Sequence, residues 1–156
     1  MGPIRLVRGL LRLSPSDRVP FVAAWLLLGA ASLLIALLPF RVVRRLLGED
    51  QAHSGATAAD PGPALTPRQC DRARRIGILV AGAAAHAPWR SDCYPQALVG
   101  RTLLALRRIP HAVCFGVRRD GDALVAHAWV RAGELVVTGG NGQSYTEVAR
   151  FVWDPR

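Results

Sequence analysis

The sequence predicts an α+β fold, with helices packed on a small antiparallel sheet behind an apolar helical N-terminal segment. Three observations predict it. Apolar residues at helical spacing, with start and stop signals, fill 66–108; short apolar runs broken by turns fill 111–137; and no charged residue occurs from Val19 to Phe40. At 156 residues and 51% hydrophobic the chain is one domain's worth, which allows one buried core and excludes a wholly disordered protein.

Every one of the 20 basic residues is Arg, and the net charge is +9. An Arg-only, Ala/Gly/Leu-rich composition reflects a GC-rich genome more than chemistry, although the excess still favours an acidic partner or an anionic membrane. No basic stretch is interleaved with stacking aromatics, so nucleic-acid binding is not expected. Cys70, Cys93 and Cys114 form an odd set without CxxC spacing, which argues against a disulfide framework and a dedicated zinc site. Free thiols suit a reducing cytosol. His53, His86, His111 and His127 are scattered and no HExxH occurs, so neither a metal nor another cofactor is expected.

Residues 1–48 read as helical. Ser14-Pro15-Ser16-Asp17 breaks the first run and offers caps for a second helix, with Pro20 in its first turn. Val19–Phe40 has about the length a bilayer span requires, roughly 20 residues. Pro39 and the small side Gly29-Ala30-Ala31-Ser32 equally suit a helix packed on a core, and arginines on both flanks give no orientation. Membrane association and docking both stay open. Residues 49–65, rich in Gly, Pro, Ala, Ser and Asp, read as a linker, and 66–156 as the core domain.

Thr66-Pro67-Arg68-Gln69 starts a helix with a capping box, and Pro88 stops it after Ala87. Cys70, among Arg68, Asp71 and Arg72, reads as incidental. Ser91 or Asp92 caps the next helix, from Cys93 to about Arg108, with Pro95 in its first turn. With Asp92 as cap, Cys93 takes the first helical position, where unpaired N–H groups and the helix dipole favour a thiolate and can hold an oxyanion. Ile109-Pro110 ends that helix. His111–Val117, Leu124–Ala132 and Leu135–Val137 read as three strands of a meander, joined at Arg118–Asp122 and Gly133-Glu134. Cys114 reads as a buried structural thiol, and His86 and His111 as surface or capping residues. Alternation puts Val125, His127 and Trp129 on one strand face, and the small neighbours Ala126 and Ala128 leave room beside the imidazole.

A cysteine at a helix start followed by a histidine within a strand is how a thiol nucleophile is usually built. Trp89-Arg90-Ser91-Asp92-Cys93, Gln96-Ala97-Leu98, Arg107-Arg108-Ile109-Pro110, Phe115-Gly116-Val117-Arg118 and Ala126-His127-Ala128-Trp129-Val130 together resemble the lasso peptide maturation proteases of the transglutaminase-like superfamily. The resemblance covers about 66–153, with Tyr145–Phe151 similar to the family's ending and 1–48, including Leu38-Pro39-Phe40-Arg41, similar to what precedes its core.

This resemblance implies a papain-like cysteine-peptidase core that removes the leader from a ribosomally made precursor peptide. It implies a separate leader-recognition protein and an ATP-dependent macrolactam cyclase as partners, and a cytoplasmic location, at the inner membrane face if Val19–Phe40 associates with lipid. Cys93 is then the nucleophile and His127 the general base and later the acid. The family's downstream Asp is absent from Val137-Thr138-Gly139-Gly140-Asn141-Gly142. Asn141 or a backbone carbonyl is left to orient the ring, unless Asn141 is simply a turn residue; Gln96 can help line the site. An acyl transferase on the same thioester chemistry, or a non-catalytic scaffold or membrane adaptor, remain as alternatives.

Overall fold

The computed structural model describes residues 14–38, 42, 64–140, 142 and 144–155; the 49–63 part of the expected linker and Asn141 lie outside them. Three helices, α1 (Pro15–Leu37), α2 (Pro67–Ala85) and α3 (Cys93–Leu106), precede strands β1 (His111–Asp120), β2 (Ala123–Ala132), β3 (Leu135–Thr138) and β4 (Thr146–Trp153). The four strands form an antiparallel sheet ordered β3-β2-β1-β4.

Local chemistry explains most boundaries. Thr66 and Gln69 form the reciprocal capping box, and α2 ends at Ala85 with His86 as its C-cap, its Nδ1 2.7 Å from the Gly82 carbonyl. α1 begins at Pro15, so Pro20 lies inside the helix rather than in its first turn. The β1–β2 hairpin is tighter than expected: Asp120 pairs with Ala123, and Gly121 turns the chain at φ +59°.

The three-stranded meander is a four-stranded sheet. β4 returns to pair with β1 on the far side from β3. It buries Phe151 and also Arg150, whose guanidinium is held by Glu147 at 2.7 and 3.2 Å. One core joins Val113, Val130 and Phe151 of the sheet, Leu104 of α3, Val80 of α2, and Phe21 and Leu28 of α1.

α1 docks by one face. Phe21, Ala24, Leu28 and Ala31 are buried, the Trp25 and Trp89 rings lie 4.6 Å apart, Ser32 Oγ donates to the Arg90 carbonyl at 2.8 Å, and Arg75 of α2 pairs with Asp17. Hydrogen bonds from Ser14 and then Arg75 hold the Asp17 carboxyl below the usual carboxylate range. The other face carries Val19, Leu26, Leu33 and Leu37, each 59–79% exposed. The helix is long and apolar enough to cross a membrane, with a mean hydropathy of 2.2. A core helix and a membrane anchor therefore both fit it.

His111 is neither a surface nor a helix-capping residue. It is 4% exposed, stacked on Trp153 with 5.2 Å between rings, because β4 covers it. Its Nδ1 donates to the Ile109 carbonyl at 2.8 Å, and its Nε2 is buried without a partner. Burial pulls the pKa from 6.5 down to about 4, with the Ile109 carbonyl opposing and Arg101 adding to the fall. The folded ring stays neutral where the unfolded one takes a proton. Stability is therefore intact above pH 6.5 and declines as pH falls towards 4, by about 3 kcal/mol at most. Urea midpoints at pH 7 and 4.5 should show this loss, reduced in His111→Phe, which keeps the stack and cannot titrate. An equal loss in the variant would assign the acid sensitivity to carboxylates instead.

Candidate active site

Asp92 occupies the N-cap of α3, which places Cys93 in the first helical position. The Asp92 side chain makes no capping hydrogen bond; its Oδ2 pairs with Arg90 Nη2 at 3.1 Å. The positive end of the helix is thus left to act on whatever charge develops at Cys93. Gln96 Nε2 donates to the Ser91 carbonyl at 2.7 Å and closes the turn that presents the thiol. Pro95 follows in the same turn, buried, where its missing N–H costs nothing.

His127 lies on β2 opposite Gly116 of β1. β3 pairs with β2 only over Val130–Ala132, so the strand edge beside His127 is not covered by β3. The chain leaving β3 folds back over that edge, and the Gly139 carbonyl meets His127 Nε2 in a short hydrogen bond. A carbonyl only accepts, so Nε2 carries the proton and Nδ1 keeps the lone pair of a base. The imidazole is stacked on Tyr145, with 4.7 Å between centroids and 23° between planes, and more loosely on Trp129 at 6.0 Å and 19°. Arg118 caps Tyr145 at 5.1 Å from its ring centre.

Gly139 is fixed by two requirements. Its φ of +83° is a left-handed conformation, and a Cβ there would run into the Ala128 carbonyl and lie 2.8 Å from Trp129 Cα. Only glycine lets the loop approach β2 closely enough for its carbonyl to reach the ring.

Two cavities share Cys93 and His127. One, of about 570 Å³, runs from Gln96 to the β3 end at Thr138, Gly139 and Gly140. The other, of about 360 Å³, is apolar and walled by Tyr94, Phe115, Val148 and Phe151. Burial pushes the Tyr94 hydroxyl up to about 12, so it is neutral at physiological pH.

The structure therefore brings Cys93, His127 and Gln96 to one cleft. Cys114 is fully buried, its thiol pushed up to about 12 by burial and then by Glu147, and Cys70 lines a different pocket with Arg74 and Glu134. Among the described residues no group of three or more His, Cys, Asp or Glu could hold a metal ion. The sequence carries Phe115, Tyr145 and Phe151 only inside segments that resemble the family, and gives neither them nor Gly139 a place in the site. The Gly139-Gly140-Asn141-Gly142 run after a strand is the available signal for Gly139; the sequence leaves Asn141 or a backbone carbonyl to orient the ring and does not say which carbonyl.

A cysteine at a helix N-terminus that shares a cleft with an imidazole whose Nε2 is engaged by a carbonyl would suit acyl transfer through a thioester. The family model described as Transglutaminase-like superfamily matches residues 34–150, from the last turn of α1 into β4. No curated protein and no solved structure matches the chain.

Proposed function

The chain belongs to the transglutaminase-like superfamily, which includes cysteine peptidases and acyl transferases, and from that we propose that it is a cysteine peptidase removing the leader from a ribosomally synthesised precursor during lasso peptide maturation. The observation that carries the reading is the shared cleft of Cys93 and a His127 whose Nε2 is already engaged by Gly139.

His127 Nδ1 takes the Cys93 proton as Sγ attacks the carbonyl at the leader's last residue. The oxyanion forms at the start of α3. The C–N bond breaks, the imidazolium returns its proton to the departing amine of the core peptide, and the leader acyl group stays on sulfur. Water, deprotonated by Nδ1, then releases the leader as a carboxylate and restores the thiol. Cys93 is partly exposed, which supports water as the second acceptor.

The motif resemblance supports the finer terms: a separate leader-recognition protein, a downstream ATP-dependent cyclase, and a cytoplasmic site of action. The exposed apolar side of α1 supports contact with the inner membrane face. Asn141 keeps its proposed place as a third member only as an adjunct, since the Nε2 position is taken by the Gly139 carbonyl.

Incubation with a cognate precursor and its leader-binding protein, followed by mass spectrometry, tests the reading. Two fragments whose masses sum to the precursor plus one water are expected. A leader fragment bearing an added amine would replace hydrolysis by acyl transfer, and an unchanged precursor would leave a non-catalytic scaffold.

A further inference from the structure

A third cavity is also lined by Cys93. It is a groove of about 730 Å³ between the C-terminal half of α1 and the residues leading into α3, and its lining includes Leu33, Ile35, Ala36, Trp89, Tyr94 and Cys93. Only Cys93 and Tyr94 line both this groove and the Phe115/Phe151 pocket, so the nucleophile sits where the two meet. We infer that α1 is a wall of the substrate site, and that this groove receives an apolar side chain of the peptide next to the bond that Cys93 attacks.

The inference rests on the peptidase reading and adds a specificity determinant to it. The groove is held by specific contacts. Gly29 lets the Trp89 ring seat against α1, where a Cβ would stand 2.9 Å from it, and the Ser32 hydroxyl ties the same level of α1 to the Arg90 carbonyl. The depth of the groove is set by this contact between helix and loop.

Its chemistry selects the occupant. The two charged residues of the lining, Arg90 and Asp92, are paired with each other, with 92% and 64% of their side chains exposed, at the rim. A charged side chain entering the groove would lose water and gain no unpaired counter-charge, whereas an aliphatic or aromatic one would cover Leu33, which is 60% exposed. Trp89, one wall of the groove, holds its Nε1–H buried without a protein partner. An extended apolar segment meets these conditions. Its continuity with Cys93 distinguishes this surface from the remaining exposed residues of α1, such as Val19.

The test uses Ala36, an exposed groove residue outside the reacting machinery, changed to Trp to fill the groove or to Asp to charge it. Val19→Trp, on the same helix away from the groove, is the control. Two readouts are taken: kcat/KM for precursor cleavage, and the ratio of Cys93 alkylation rates by iodoacetanilide and iodoacetamide, followed by peptide mapping. Both Ala36 variants are expected to lower kcat/KM at least about tenfold, a loss of the size set by one or two apolar contacts in a pocket. They should also lower the anilide-to-amide ratio and leave the iodoacetamide rate and Val19→Trp unaffected. Unchanged kcat/KM and an unchanged ratio in both variants would overturn the groove and leave the peptidase standing. A wild-type protein that cleaves nothing, yet whose alkylation ratio falls in the variants, would remove the peptidase and keep the groove.

Discussion

Cys93→Ala is expected to lower precursor cleavage by on the order of 10⁴-fold or more, because no other described thiol lies in the cleft and a lost nucleophile removes the covalent route entirely. The fold should survive. Cys93 is partly exposed at the first position of α3, where Ala is accepted, so melting should move by no more than about 1 kcal/mol equivalent. His127→Ala is expected to fall nearly as far, and the double variant no further than either, since the two act as one unit. Additive losses would mean that they act independently. Cys70→Ala and Cys114→Ala serve as controls: the first lies in another pocket and the second is locked in the core, so both should keep cleavage near the wild-type rate.

The second large effect is expected at a residue with no side chain. Gly139→Ala forces a Cβ against β2 in a left-handed backbone, so the loop must move and its carbonyl must leave His127 Nε2. Loss of the fixed tautomer should lower kcat by about 100-fold, the scale of a misplaced reacting group, with a much smaller change in KM. Strain of about 1–3 kcal/mol accompanies it and is read separately by melting. In a His127→Ala background the same change should cost no further activity. Gly139→Ala with wild-type kcat would show that the carbonyl does not orient the base. Asn141→Ala should then become the variant with the large effect.

How much of this was legible in the sequence follows from how local each cause is. The Thr66–Gln69 box, the Gly121 turn and the entry into α3 depend on residues within a few positions of each other, and the structure has all three, the turn narrowed from Arg118–Asp122 to the residues between Asp120 and Ala123. β4 depends on a distant partner. Its pattern is broken by a buried Arg150 that needs Glu147 beside it, and by a register shift opposite Phe115/Gly116, so it shows no clean alternation. His111 was misread for the same reason, since Trp153 of β4 is what buries it.

The site divides in the same way. Cys93 and His127 can be proposed from the sequence because the chemistry they would supply lies in their side chains, and the structure puts both on one cleft. The group that engages His127 Nε2 is the Gly139 main-chain carbonyl; a backbone carbonyl is open in the sequence beside Asn141, but no residue type marks which one, and the only trace is the glycine that lets it approach. The docking of α1 was equally hidden, because an apolar run of that length fits a bilayer and a core alike, and only Trp89 and Ser32 contacts reveal which face is used here.

The central claim is that Cys93 carries the leader as a thioester while His127 moves the protons. Acid quenching of the precursor incubation within the first turnovers, followed by intact-mass analysis and peptide mapping, tests it most directly. The account predicts a mass increase equal to the leader acyl group, located on Cys93, absent in Cys93→Ala and slow to appear in His127→Ala. Cleavage that proceeds with no adduct on Cys93, or with the adduct on Cys70, would contradict it.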